Sequence, residues 1–131
     1  MRKIIFRGRD IAGNWHYGDL EIISDDLCKI VNHKLLEYGK VVDRDTVGQY
    51  TGLTDNKGEK IFEGDIVKHD FEDEQIGEQY AVVDFSCKYA SFMISPINDW
   101  MYCDKNDCEV IGNIHDNPEL LKGDSENESE R

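Results

Sequence analysis

The sequence predicts a mostly-β domain, barrel-like or irregular, and two observations carry that expectation. Short runs of alternating or β-branched apolar residues recur along the chain, most clearly where Tyr80, Val82 and Asp84 stand opposite Ala81, Val83 and Phe85. Turn-forming residues separate these runs, as at Thr54-Asp55-Asn56-Lys57-Gly58. Many short strands joined by such turns are the mark of a sandwich, barrel or irregular sheet.

Residues 1–7 read as a first strand, with Ile4 and Phe6 on one face and Lys3, Ile5 and Arg7 on the other. Residues 8–13 read as a turn. A β pattern resumes over 15–20, with Trp15 and Tyr17 on one side, and 21–24 continues or pairs with it. Residues 25–40 support two readings. Leu27, Ile30, Val31, Leu35 and Leu36 partly fit helix spacing, with Ser24 or Asp25 as a cap. Cys28, Ile30 and Val31 equally fit a strand followed by a turn at Asn32-His33.

Residues 43–48 look like one helical turn closed by Gly48, and 49–53 are short and β-like. In the turn at 54–58, Gly58 is free to take positive φ. Short strands at 59–61 and 66–69 flank a break at Glu63-Gly64-Asp65. An acidic loop fills 71–77. Longer strands follow at 78–85 and 89–94, joined by a hairpin at Ser86-Cys87-Lys88 and stopped before Pro96. Residues 100–103 and 109–114 are the last strands, and Pro118 opens a terminal helical turn. Residues 122–131 hold no apolar side chain and are expected to form a disordered acidic tail.

A chain of 131 residues is one ordinary domain that needs no disulfide or metal to hold a core. Charged residues reach 33% against 39% hydrophobic, which implies a thin core and a strongly solvated surface. The net charge of −13 is uneven: residues 1–70 hold 11 Lys+Arg and 13 Asp+Glu, residues 71–131 hold 4 and 15. Such a second half repels phosphate backbones, so nucleic acid is not an expected partner. Arg2, Lys3, Arg7 and Arg9 precede the first acid, Asp10, and read as a charged strand edge or, alternatively, an anion-contacting strand. The apolar run after Lys3 is too short for a signal peptide, and no run approaches the ~18 residues of a membrane helix. A cytoplasmic location with reduced cysteines is the expectation.

Reactive groups do not assemble into a known signature. Cys87, Cys103, Cys108 and His115 contain one close pair, Cys103-x4-Cys108, but no Cys-x-x-Cys, so buried or incidental thiols are the better reading than zinc. No nucleophile elbow or triad signature surrounds any Cys, Ser or His. Glu72-Asp73-Glu74 and Asp104, Asp107 and Glu109 read as solvated acidic loops, lacking the glycine and length of a calcium loop. No phosphate-binding glycine loop occurs. The sequence therefore predicts no catalytic residue, cofactor or metal ligand.

Five segments together resemble the YopX family, small proteins carried mainly by bacteriophages and prophages of Gram-positive bacteria. They are Ile5-Phe6-Arg7-Gly8-Arg9-Asp10, Trp15-His16-Tyr17-Gly18-Asp19-Leu20, the stretch 45–55, the stretch 58–67 and the stretch 110–121. Gly8 departs from the family, which often has alanine there before an aromatic residue, and residues 25–40 match little. The resemblance implies a mostly-β domain over 1–121, its middle part similar to a small SH3-like barrel, and allows a division at about 1–53 and 54–121. It tilts 25–40 toward strands, implies no enzyme activity and suggests a homo-oligomer. Gly48, Gly52, Gly58 and Gly64 read as turn punctuation, and Ile61, Phe62, Ile66 and Val67 as core. Asp65 reads as a turn acceptor, and Tyr50 as either a core residue or an interface contact.

The leading expectation is a non-enzymatic protein-interaction module acting as a homo-oligomer. It would meet an unidentified protein through turn surfaces at Gly48, Gln49, Tyr50, Thr51, Glu63 and Asp65. Two alternatives stand beside it. One is an acidic DNA mimic that inhibits a host DNA-binding enzyme; the other is a small-barrel nucleic-acid-binding protein using the basic first strand.

Overall fold

The regular structure of the described residues is almost all strand. The structure, a computed structural model, describes residues 3–35, 38–70, 78–95, 99–100 and 108–121. Among these, the strands are β1 Phe6–Arg9, β2 Trp15–Ile22, β3 Leu27–Val31, β4 Lys40–Thr54, β5 Lys60–Phe62, β6 Asp65–Asp70, β7 Glu78–Ser86, β8 Ser91–Ser95, β9 Asp99–Trp100 and β10 Cys108–Asn113. Helix is limited there to a 3-10 turn at His33–Leu35 and a turn at 119–121. Two antiparallel sheets run β1-β2-β3-β4-β5 and β10-β6-β7-β8-β9. β1 also pairs with β4, so four strands form a near-closed ring. The chain divides into two compact units, Met1–Gly52 and Leu53–Arg131. The acidic loop at 71–77, the stretch 101–103 and the tail at 122–131 lie outside the described residues.

In the first unit, strand pairing settles the ambiguous stretch. Leu20 faces Ile30, Ile22 faces Cys28, and Cys28 faces Val42. This period-two register puts Cys28, Ile30 and Val42 into a core with Phe6, Leu20 and Val47. Residues 27–31 are therefore a strand, and among the described residues of this stretch only 33–35 form a helical turn.

Three sequence expectations need correction here. First, β1 runs from Phe6 through Gly8 to Arg9 rather than turning at Gly8. Gly8 stays in the ladder opposite His16, and it is glycine because a Cβ would stand 2.5 Å from Val42 Cγ2. Second, β1 is no sheet edge: it pairs with β2 and β4, and Arg7 is buried, its guanidinium 4.7 Å from the Trp15 ring centroid. Third, 43–48 form no helical turn but a wide bulge within β4. The register passes from Arg7↔Gly48 to Arg9↔Asp43, so two steps on β1 answer five on β4. The Thr46 hydroxyl fills the gap, accepting from the Arg9 N–H at 2.8 Å and donating to the Asp43 carbonyl at 2.6 Å. Gly48 accordingly sits in the ladder and marks no turn.

The second unit packs Ile61, Val67, Ala81, Val83, Ile94 and Cys108 with Val110 against them. Ala81 faces Val67 and Val83 faces Ile94, while Tyr80 points outward, as the alternation in the sequence requires. The β7–β8 turn covers 87–90, so β8 begins at Ser91 and not at Tyr89. The Asp65 carboxylate is buried and accepts from the Phe62 N–H at 2.7 Å, closing the β5–β6 turn around Gly64, whose φ is +87°.

The outer side of β10 is occupied by the 54–59 turn and by Asn117. The Asn56 N–H donates to the Cys108 carbonyl at 3.0 Å, the Val110 N–H to Asp55 Oδ2 at 3.0 Å, and the Asn113 N–H to Asn117 Oδ1 at 3.2 Å. Asp55 is 1% exposed, and its other oxygen accepts from the Lys57 and Glu59 amides at 2.9 and 2.8 Å. One carboxylate thus ties the 54–59 turn to the last strand.

The division also sorts the charge. Residues 1–52 hold 8 Lys+Arg and 8 Asp+Glu; residues 53–131 hold 7 and 20. The first unit is neutral and the second carries the whole −13.

Candidate functional site

In the first unit, two tight turns and the β4 bulge frame an open groove of about 780 Å3. The β1–β2 turn is built on Asp10. Its Oδ1 accepts from the Ala12 and Asn14 amides, both at 2.9 Å, and its Oδ2 meets His16 Nε2 at 2.7 Å. Gly13, at φ +89°, lets the chain return, and its N–H donates to the Asp10 carbonyl at 3.0 Å. Ile11 is left at the tip, fully exposed.

The opposite wall is the β2–β3 turn. Ser24 Oγ accepts from the Asp26 and Leu27 amides, and the Arg44 N–H holds the Asp26 carbonyl at 3.0 Å. Leu27 and Val41 present half-exposed aliphatic faces, Val42 forms the floor, and Asp26 and Asp43 stand at the rim with Arg9 across from them. Three carboxylates to one guanidinium leave the groove acidic over an apolar lining.

The His16 side chain, then the Asn14 and Ala12 amides, hold the Asp10 carboxyl below its ordinary 3.8. A lowered folded value means that its stabilising contribution is complete above 3.8 and is lost as pH falls below it. Acid titration is expected to speed amide exchange at Ala12 and Asn14 below pH 3.8, while the β3–β4 amides stay protected. Exchange that loosens the two regions together would show that Asp10 does not control the turn.

The residues expected to make contacts from sequence sit elsewhere. Gly48, Tyr50 and Thr51 are buried on β4 and Gln49 is half-buried there; Asp65 is buried and Glu63 half-buried in the second unit. Tyr50 takes the core option, and its N–H donates to the Ile5 carbonyl at 2.8 Å. Cys28 and Cys108 are buried and Cys87 is exposed; Cys103, Asp104 and Asp107 lie outside the described residues, as do Glu72, Asp73 and Glu74. Among the described residues no three His, Cys, Asp or Glu side chains gather for a metal, and no helix is long and apolar enough to cross a membrane. The groove residues went unmarked in the sequence. The available signal was Ile11, an aliphatic side chain inside an Asp-x-x-Gly-Asn turn.

Comparison with known proteins adds the following. No curated protein matches the chain. The crystal structure of protein EF1440 from Enterococcus faecalis is similar in fold, with a TM-score of 0.59 at 22% identity over 92% of this chain and 99% of that one. The family model for YopX protein matches residues 12–122, which takes in most of both units described above. With five motifs in order and a match of that length, the chain belongs to the YopX family.

Proposed function

We propose that the chain is a non-enzymatic protein-interaction module of the bacterial cytoplasm that works as a homo-oligomer, with the first unit as its contact surface. One observation carries this reading. Among the described residues, the neutral unit holds eight of the twelve exposed large apolar side chains, Ile11, Leu27 and Val41 at the groove among them. Exposed apolar groups on a unit without net charge favour association. Second units at −13 repel each other over a Debye length of about 8 Å at physiological salt, which favours contact through the first.

Light scattering after size exclusion tests it. The wild-type chain is expected to elute as a defined multiple of its own mass, and Leu27→Asp to shift it toward the monomer with the far-UV spectrum unchanged. A strict monomer at high micromolar concentration and moderate salt overturns the reading.

A second reading rests on the segregated charge. Seven bases against twenty acids in one unit suit an acidic mimic that occupies a basic DNA-binding cleft on a host enzyme. Binding to such an enzyme that weakens steeply with salt supports it, and no binding at low salt removes it. The third reading, nucleic-acid binding by the basic first strand, loses ground because Arg7 is buried against Trp15.

A further inference from the structure

We infer that the groove of the first unit receives the Lys3-Ile4 segment of a second copy, in a head-to-tail contact. The inference rests on the homo-oligomer reading and names the two surfaces that meet.

The groove specifies its occupant. Leu27, Val41 and Val42 offer an aliphatic lining, and Asp26 and Asp43 outnumber Arg9 even with the Asp10 carboxylate held by His16 and its own turn. A short extended segment with one large aliphatic side chain beside a cation matches both properties. The chain carries such a segment in Lys3-Ile4, preceded in sequence by Arg2 and free of acids until Asp10. Lys3 is exposed and Ile4 is 56% exposed, so both side chains stand open to a partner.

The segment cannot serve its own groove. The Tyr50 N–H fixes the Ile5 carbonyl, so the chain enters β1 at the Phe6 end. The groove lies at the Arg9 end. Five residues of extended chain, about 17 Å, separate Ile4 from Arg9. Only another copy can bring Lys3 and Ile4 to Asp26 and Val41. Two different surfaces then meet, and a heterologous contact of this sort propagates into a closed ring or an open filament rather than a two-fold dimer.

Charge exchange in the full chain tests the contact. Lys3→Glu alone and Asp26→Lys alone are each expected to weaken self-association about tenfold, the size of one lost interfacial charge pair. Mixing the two variants is expected to restore assembly, because the carboxylate introduced at position 3 of one copy then faces the ammonium introduced at position 26 of the other. Carbodiimide treatment of isotopically mixed wild-type chains is expected to give a mixed-isotope Lys3–Asp26 crosslink, a readout that needs no variant to fold. Unchanged assembly in both single variants, with no such crosslink, overturns the inference and leaves the homo-oligomer reading standing. A monomeric wild type overturns both.

Discussion

Asp55→Ala is expected to lower the stability of the second unit by about 3 kcal/mol, since a buried backbone amide left without an acceptor costs roughly 1–3 kcal/mol and the turn loses two further bonds. The Val110 N–H loses its acceptor at a half-buried strand position, whereas the Lys57 and Glu59 amides are on exposed residues and recover more of their loss. A fall in Tm on the order of 10 °C follows. Hydrogen exchange should locate it: the Val110 amide loses protection first, ahead of the β6–β7 amides. Asp55→Asn keeps one oxygen for the turn but sets an NH2 or nothing against the Val110 N–H, so it should recover only part of the loss. The carboxylate form matters here. Burial opposes ionisation, but the Val110, Glu59 and Lys57 amides and the Lys57 charge hold the group below 3.8. Its contribution is therefore complete above that pH and declines beneath it. Equal Tm values for wild type and Asp55→Ala at neutral pH would remove Asp55 from this role.

Gly18→Ala is expected to cost about 3 kcal/mol or more in the first unit and to resist rescue, because small-to-large changes in packed positions already cost roughly 1–3 kcal/mol when neighbours can adjust. A Cβ at Gly18 would run into the Val31 carbonyl, its oxygen closest and its carbon at 2.8 Å. That obstacle is backbone, held in the β2–β3 ladder where Asp19 pairs with Val31. Gly8→Ala supplies the contrast. There the obstacle is the Val42 side chain, so Val42→Ala in the same chain should return part of the stability that Gly8→Ala removes. Denaturant unfolding of the three single variants and the Gly8/Val42 double variant reads both effects. A fully stable Gly18→Ala, or a double variant worse than the sum of its parts, would contradict this account of the ring.

Where local chemistry decides structure, the sequence was a good guide. The 54–58 turn rests on Asp55 and Gly58 alone, and the 78–86 strand on plain alternation around Ala81 and Val83, so both were legible. Positions whose role depends on a distant strand were not. Asp43, Asp45 and Thr46 carry the residue types of a helical turn, and only the Arg9 amide, 37 residues away, turns that chemistry into a bulge. Arg7 reads as an edge charge until ring closure places it over Trp15. The groove hides for the same reason. Its lining comes from residues 9–13, 26–27 and 41–43, three stretches with no shared motif. The buried Gly48, Tyr50 and Thr51 belong to family-matching words, and those words mark shape more than contact.

The last strand has a consequence for what this protein does when crowded. Asp55, Asn56 and Asn117 already answer the amides and carbonyl that β10 turns away from β6, so a stray extended chain finds no template along that border. Growth of a cross-β fibril from that side requires the 54–59 turn to detach beforehand. Of the three, only Asp55 titrates, so acid that neutralises it weakens the seal at Val110, and fibril growth from that border is expected to be easiest at low pH.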